Sequence, residues 1–291
     1  MRIFVFLALP LMTFCNLVRI VEPSISYRFD SIKQQGDVFN ITVRDAGTGA
    51  LLLKPISLEK INRKIEDMNL AQVGLMIKWM YNDMIYLRLF GSYGKPFTDP
   101  REDMSAILLN NSGLTEPFVD VLQHFNQSQF AVDLEANVGF LLFKQNGWSF
   151  YPDAGFAYTI AKVTSDNQMR IYSFLFGAIL TYAFERSIFS FGYHFYPRAN
   201  RTLKIHFLNQ TLSSGQVVSF EPGEIREGNT YGNAFFVQFS YRFAKRWHLN
   251  LKYHFLEYVT HKTCVNTFGG DAFLKNAYRT QKIEIGFLYA W

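Results

Sequence analysis

From about residue 70 to the C-terminus, apolar residues recur at every second position in runs too long for an ordinary soluble strand. In the clearest run, Phe130, Val132, Leu134, Ala136, Val138, Phe140 and Leu142 alternate with Gln129, Ala131, Asp133, Glu135, Asn137 and Gly139. Period two predicts a strand with one apolar and one polar or small face. Strands of soluble domains run roughly five or six residues, whereas a tilted membrane-crossing strand needs about nine to eleven.

The same pattern predicts four hairpins. The first joins Val73–Tyr81 to Ile85–Tyr93 through Asn82-Asp83, and the second joins the Phe130 strand to Trp148–Ile160 through Lys144 to Gly147. The third joins Tyr172–Phe184 to Phe189–Phe195 through Glu185-Arg186, and the fourth joins Phe235–Phe243 to Trp247–Phe255 through Ala244-Lys245-Arg246. A last strand, Tyr278 to Trp291, makes nine. Barrels of a single chain usually have an even count, so a tenth is expected before Leu70, from Ser24–Ile32 or from Asp37–Arg44, and eight to twelve strands bracket the range.

The links between hairpins are long and polar: Gly94 to Gln127, Pro197 to Tyr231 and Thr260 to Ala277. Within them, Leu203–Phe207 and Val217–Phe220 read as a short extracellular hairpin. Two stretches carry helical spacing: Leu58, Ile61, Ile65 and Met68 behind Ser57, and Phe118, Val121, Leu122 and Phe125. They are expected as short helices, packing over the rim or entering the lumen as a plug.

Composition strengthens the membrane reading. Aromatic residues are 17% of the chain and charged residues 18%, a bias suited to a lipid-facing surface with interfacial girdles. No stretch after the N-terminus reaches the roughly eighteen consecutive apolar residues a spanning helix needs. Strands can pair all their backbone groups in hydrocarbon only by closing. An all-β, antiparallel up-and-down transmembrane barrel of about ten strands is the predicted fold.

Residues 1–15, MRIFVFLALPLMTFC, read as an export signal, with Arg2 before the apolar run Ile3 to Phe14. No small-x-small triplet marks a cleavage site, and the alternative is an uncleaved anchor reaching Val21. Phe14 argues against a lipid-modified Cys15. Residues 16–69 are expected to hold the first strand and a long N-terminal loop with a short helix, and residues 70–291 the barrel. After cleavage Cys264 would be the only cysteine, so no internal disulfide is expected.

Net charge is +5, spread along the strands rather than gathered into a basic stripe, which excludes a nucleic-acid surface. No phosphate loop, dinucleotide fingerprint, paired-cysteine metal site or nucleophile elbow occurs, so neither cofactor nor metal is expected. The Asn-x-Ser/Thr triplets at Asn40, Asn110, Asn126, Asn200 and Asn209 are read as chance. The candidate functional residues are those that alternation turns inward: Lys78, Arg88, Asp133, Glu135, His194, Arg242, His248, Lys252, His254, Lys282 and Glu284. They form either a structural ion-pair network or the lining of a selective path. On the outer face, Glu257 and Arg279 interrupt the apolar pattern, either snorkelling or touching lipopolysaccharide headgroups.

These features resemble bacterial outer-membrane β-barrels as a class, over about Leu70 to Trp291. In that class, an alternating final strand such as Ile283, Ile285, Phe287, Tyr289 and Trp291 is the signal read by the barrel-assembly machinery. The resemblance implies an outer-membrane location, the C-terminus in the periplasm and long loops outside. A narrower resemblance, in strand number and position only, is to the omptin surface proteases. It rests on Asp133, Glu135, His194 and His254 converging near the outer rim, where carboxylates beside histidine would activate water. That family's aspartate pair and Asp-x-His dyad are absent; Asp133-Leu134-Glu135 is a loose echo.

Two functions follow as expectations. The first is a porin-like narrow pore for ions or small solutes, with Gly139, Gly155, Gly177, Gly192 and Gly286 leaving inward space. The second is a closed scaffold whose loops bind a host molecule, ligand or partner protein.

Overall fold

The structure is a computed structural model. It describes residues 17–41, 43–45, 47–50, 56–98, 101–110, 115–123, 130–162, 168–205, 210–211, 217–220, 223–264 and 271–291. The expected signal, Cys15 and Phe125 lie outside these residues.

Ten strands form the barrel: β1 Leu17–Ile41, β2 Ile56–Tyr81, β3 Ile85–Pro96, β4 Phe130–Phe140, β5 Trp148–Lys162, β6 Gln168–Phe184, β7 Ser187–Ile205, β8 Gly223–Ala244, β9 Trp247–Cys264 and β10 Asp271–Ala290. Each pairs antiparallel with its chain neighbours, and β10 pairs with β1 from Ile20↔Ala290 to Phe39↔Asp271, closing the sheet. Trp291 completes the seam, exchanging two 2.9 Å backbone hydrogen bonds with Arg19. The missing strand is thus β1, which contains Ser24–Ile32 and extends into the second stretch as far as Ile41, while Val43 and Arg44 belong to a separate short strand.

Following the register once around from Ala131 on β4 passes Gly94, Gln72, Ser26, Glu284, Lys252, Gln238, Ser190 and Thr181 and reaches β5 at Ser149. Direct pairing of β4 with β5 puts Ala131 beside Ala161 instead, a stagger of twelve residues. Twelve residues of rise against ten strand spacings tilt the strands by about 40°.

The four short connections, at 82–84, 141–147, 185–186 and 245–246, lie at one end with Leu17 and Trp291. Asn82, Asp83, Asn146, Gly147 and Glu185 adopt positive φ there, the conformation that two-residue hairpin turns demand. At the other end the expected long loops are largely wall. β7 and β8 rise to Ile205 and Gly223, and β9 and β10 to Cys264 and Asp271. Val217–Phe220 pairs with Gln210–Thr211 and Val43–Asp45 rather than with Leu203–Ile205, which belongs to β7. A further hairpin, Arg101–Asn110 with Thr115–Gln123, continues the sheet from the upper part of β2.

Both expected helices are strands, and the described residues contain no helix. Leu58, Ile61, Ile65 and Met68 are spaced by three, four and three. The two odd steps coincide with bulges, where the register against β1 shifts between Gly36/Val38 and between Asp30/Ile32. Lys60 has φ 51° at the first of these, and its N–H donates to Asp37 Oδ1 at 2.8 Å. A bulge inserts one extra residue and so turns period two into a step of three. Phe118, Val121 and Leu122 lie in the strand Thr115–Gln123. The barrel sheet accordingly runs unbroken through residue 69.

The outer face of the wall is an apolar belt. Ile25, Val73, Leu134, Val138, Phe174, Phe176, Phe191, Phe235, Leu251, Ile283, Ile285 and Phe287 are exposed, Phe174 by 67%. Near the short turns, Trp148 meets Tyr182 at 4.6 Å between ring centroids, and Trp247 meets Tyr289 at 4.8 Å. At the opposite margin Tyr27 meets Phe97 at 4.9 Å and Tyr93 stacks on Phe130 at 6.4 Å. A contiguous apolar surface of this extent bounded by aromatic girdles is what lipid contact requires.

Candidate functional site: the barrel interior

Alternation on each strand sends every second side chain inward, and three layers result. The middle layer is charged. Arg28 on β1 donates through Nε to Asp30 Oδ1 at 2.7 Å, ion-pairs Asp30 Oδ2 at 2.7 Å and reaches Asp133 on β4 at 2.7 Å. It also hydrogen-bonds the Tyr278 hydroxyl, which donates to Asp30 Oδ2 at 2.8 Å. Asp133 further accepts from Thr159 at 3.0 Å and Ser92 at 3.1 Å. Arg88 pairs with Glu135 and Lys282 with Glu284, the latter at 2.9 Å. Lys252 sits 4.6 Å over the Phe236 ring and Lys282 4.5 Å over Phe90, contacts in which the ring face attracts the ammonium.

A second cluster lies nearer the short turns, on β3, β4, β5 and β7. Asp153 on β5 accepts from the Tyr86 hydroxyl at 2.9 Å and from Asn137 at 3.4 Å, and meets His194 Nε2 on β7 at 3.2 Å. β6 runs between Asp153 and His194. The contact spans it because residue 177 is glycine: any β-carbon there would overlap His194 and the Tyr193 carbonyl.

Of the sequence candidates, Arg88, Asp133, Glu135, Lys252, His254, Lys282 and Glu284 line one interior cavity of about 80 Å³, room for only a few water molecules. His194 belongs to the Asp153 cluster and Lys78 to the space beneath. Arg242 leaves the set: it is exposed at the end of β8, two residues before the turn, in register with His248. The expected convergence at the outer rim is not formed. His194 and His254 each sit seven residues above a short turn, in the halves of their strands nearer that end, and both carboxylates are held by arginine. Sequence reasoning missed Glu22, Arg28, Asp30 and Asp153, although alternation carried the signal: Ile25, Tyr27 and Phe29 face out on β1, leaving Arg28 and Asp30 facing in.

Above the charges, on the side of the long connections, the lumen is filled by Ile32, Ile65, Met68 and Leu70 from β1 and β2 and by Ala131, Ala161, Met169 and Ile171 from β4 to β6, none more than 5% exposed, together with buried Arg63, which donates to Gln34 at 3.0 Å, and buried Arg201. Tyr196 and Tyr258, 5.2 Å apart, fill the facing side. The inward glycines leave no space either. Tyr86 covers Gly139, Phe236 covers Gly192 and Glu22 covers Gly286, each larger neighbour folding over a position without a β-carbon, as in the rescue of glycine by a cross-strand ring. Below the charges, a vestibule of about 360 Å³ opens between the short turns. On the outer wall, Glu257 and Arg279 ion-pair with each other at 2.6 Å.

No family model matches the sequence, and no curated protein is similar to it. Among solved structures, the outer membrane protease OmpT of Escherichia coli superposes with a TM-score of 0.56 at 9% identity, covering 94% of this chain and 97% of that one. The outer membrane protein OprG of Pseudomonas aeruginosa gives 0.31 at 11% identity, covering 92% and 95%, and the beta domain of the Bordetella autotransporter BrkA gives 0.33 at 10%, covering 92% and 98%. The likeness to OmpT is one of fold: this chain has the closed, antiparallel, ten-stranded architecture of the bacterial outer-membrane β-barrel proteins.

Proposed function

We propose that this protein is an outer-membrane barrel closed to solute flow, which holds its long-connection end outside the cell as a rigid platform for binding an extracellular partner. The short turns and the C-terminus would face the periplasm. The observation that carries this reading is the filled lumen, with ion pairs at mid-height and a tightly buried layer above them in which apolar side chains surround Arg63 and Arg201. The platform would be the raised wall and the added hairpin Arg101–Asn110 with Thr115–Gln123, which presents an unpaired strand edge among the described residues. A narrow pore for ions or small solutes would need a route past both layers. The belt would contact outer-membrane lipid, with Glu257 and Arg279 at the level of lipopolysaccharide headgroups, and the final strand to Trp291 would be read by the assembly machinery.

Orientation and display are tested together by epitope insertion. A tag placed between residues 110 and 115 should be labelled by antibody on intact cells, while the same tag at Glu185-Arg186 should be labelled only after the outer membrane is opened. The reverse pattern would refute the orientation and with it the platform.

A further inference from the structure

The vestibule at the short-turn end is blind, since the charged and apolar layers close its far side. Its exposed wall is mostly apolar, with Ile20, Met80, Ile188 and Leu288 facing the space, while Arg88, paired with Glu135, and Glu22, folded over Gly286, stand at its inner end. One ammonium reaches into it. Lys78 Nζ lies 4.3 Å from the Tyr86 ring and 6.0 Å from the Tyr151 ring, and no carboxylate among the described residues stands within ion-pair distance of it. The other cation at the mouth, Lys144, is paired with Asp83 at 3.2 Å. A buried charge without a counter-ion is costly unless something compensates it, and here two aromatic faces supply only part of that compensation. An enclosed, mostly apolar volume of this size with a few polar groups converging on it has the form of a small-molecule site.

We propose that this vestibule binds a small anionic amphiphile, a monocarboxylate of about eight carbons in all. Its carboxylate would sit on Lys78 and its chain against Ile20, Met80, Ile188 and Leu288. Entry is from the short-turn side only, so the site holds whether or not the far end presents a partner. The occupant is an anion because Lys78 is the wall cation without an ion-pair partner among the described residues, and a single-headed one because Arg88 and Lys144, the other cations on the wall, are already paired with Glu135 and Asp83.

The test uses the refolded full-length protein in lipid nanodiscs, titrated calorimetrically with octanoate, with empty nanodiscs titrated in parallel to subtract partitioning. Saturable one-site binding is expected. Lys78→Met should weaken it at least tenfold, and octanol, with the same chain and no charge, should bind at least tenfold more weakly. Ile188→Trp, which fills the open vestibule, should abolish binding while leaving a heat-modifiable barrel, and serves if Lys78→Met does not fold. Heat saturating no better than with empty nanodiscs, octanol binding as tightly as octanoate, or either folded variant binding like the parent would overturn the proposal.

Discussion

Replacing Arg28 with leucine should destabilise the barrel by about 3–5 kcal/mol, the usual cost of removing one partner from a buried ionic network. Arg28 is 1% exposed and serves two carboxylates and the Tyr278 hydroxyl at once. Without it, Asp30 and Asp133 remain inside with no cation of comparable geometry, because a guanidinium holds several acceptors in one plane as a lysine cannot. The measurement is the urea midpoint of protein refolded into vesicles, followed by tryptophan fluorescence. The combined replacement Arg28→Leu, Asp30→Asn and Asp133→Asn should recover much of the loss, since a neutral hydrogen-bonding set carries no stranded charge. A single-variant loss below about 1 kcal/mol would show that water reaches these groups, and the filled-lumen account would then be wrong at mid-height.

Gly192→Ala should be similarly damaging, by about 1–3 kcal/mol or more, although the change is one methyl group. That methyl would occupy the position of the Phe236 ring, and Phe236 is itself clamped between the wall and the Lys252 ammonium. Overpacking a tight interior forces side chains off their rotamers. The cause is checked by a double-mutant cycle: in a Phe236→Ala background, which costs stability of its own by leaving a cavity, Gly192→Ala should be nearly neutral. Coupling of at least about 1 kcal/mol is expected between neighbours that share one space, and additive effects would show that the glycine answers to the backbone rather than to the ring.

Much of this fold was legible in the sequence, for a physical reason. Lipid on one side and polar side chains on the other impose strict period two, so Phe130 to Phe140 or Tyr278 to Trp291 announce both strand and facing. The turns at Asn82-Asp83, Asn146-Gly147 and Glu185-Arg186 were equally plain, because their backbone demands particular residues. The failures lie above the belt. There the wall faces water on its outer side and alternation loses its meaning, so Pro197 to Tyr231 looked like a loop although β7 and β8 occupy much of it. Bulges then disguised Leu58 to Met68 as helix, since an inserted residue and a helical step both give a spacing of three.

The interior was half legible. Alternation named most of the inward charges but not their partners, because partners are set by stagger: Arg28 reaches Asp133 across two intervening strands, and Asp153 reaches His194 across a third. The inward glycines were misread for the same reason. A glycine marks missing volume in its own strand, and only the register shows that Tyr86, Phe236 or Glu22 from the neighbouring strand fills it. Arg242 faced inward by count yet lies past the end of the enclosed lumen, where alternation still holds and enclosure does not.

The central claim is that this barrel carries no continuous water path. It is tested most directly by single-channel recording in a planar lipid bilayer, using refolded protein whose heat-modifiable migration shows that the barrel has formed. A flat baseline is expected at every applied voltage the bilayer withstands. Discrete conductance steps of reproducible size from that same preparation would contradict it and restore the pore.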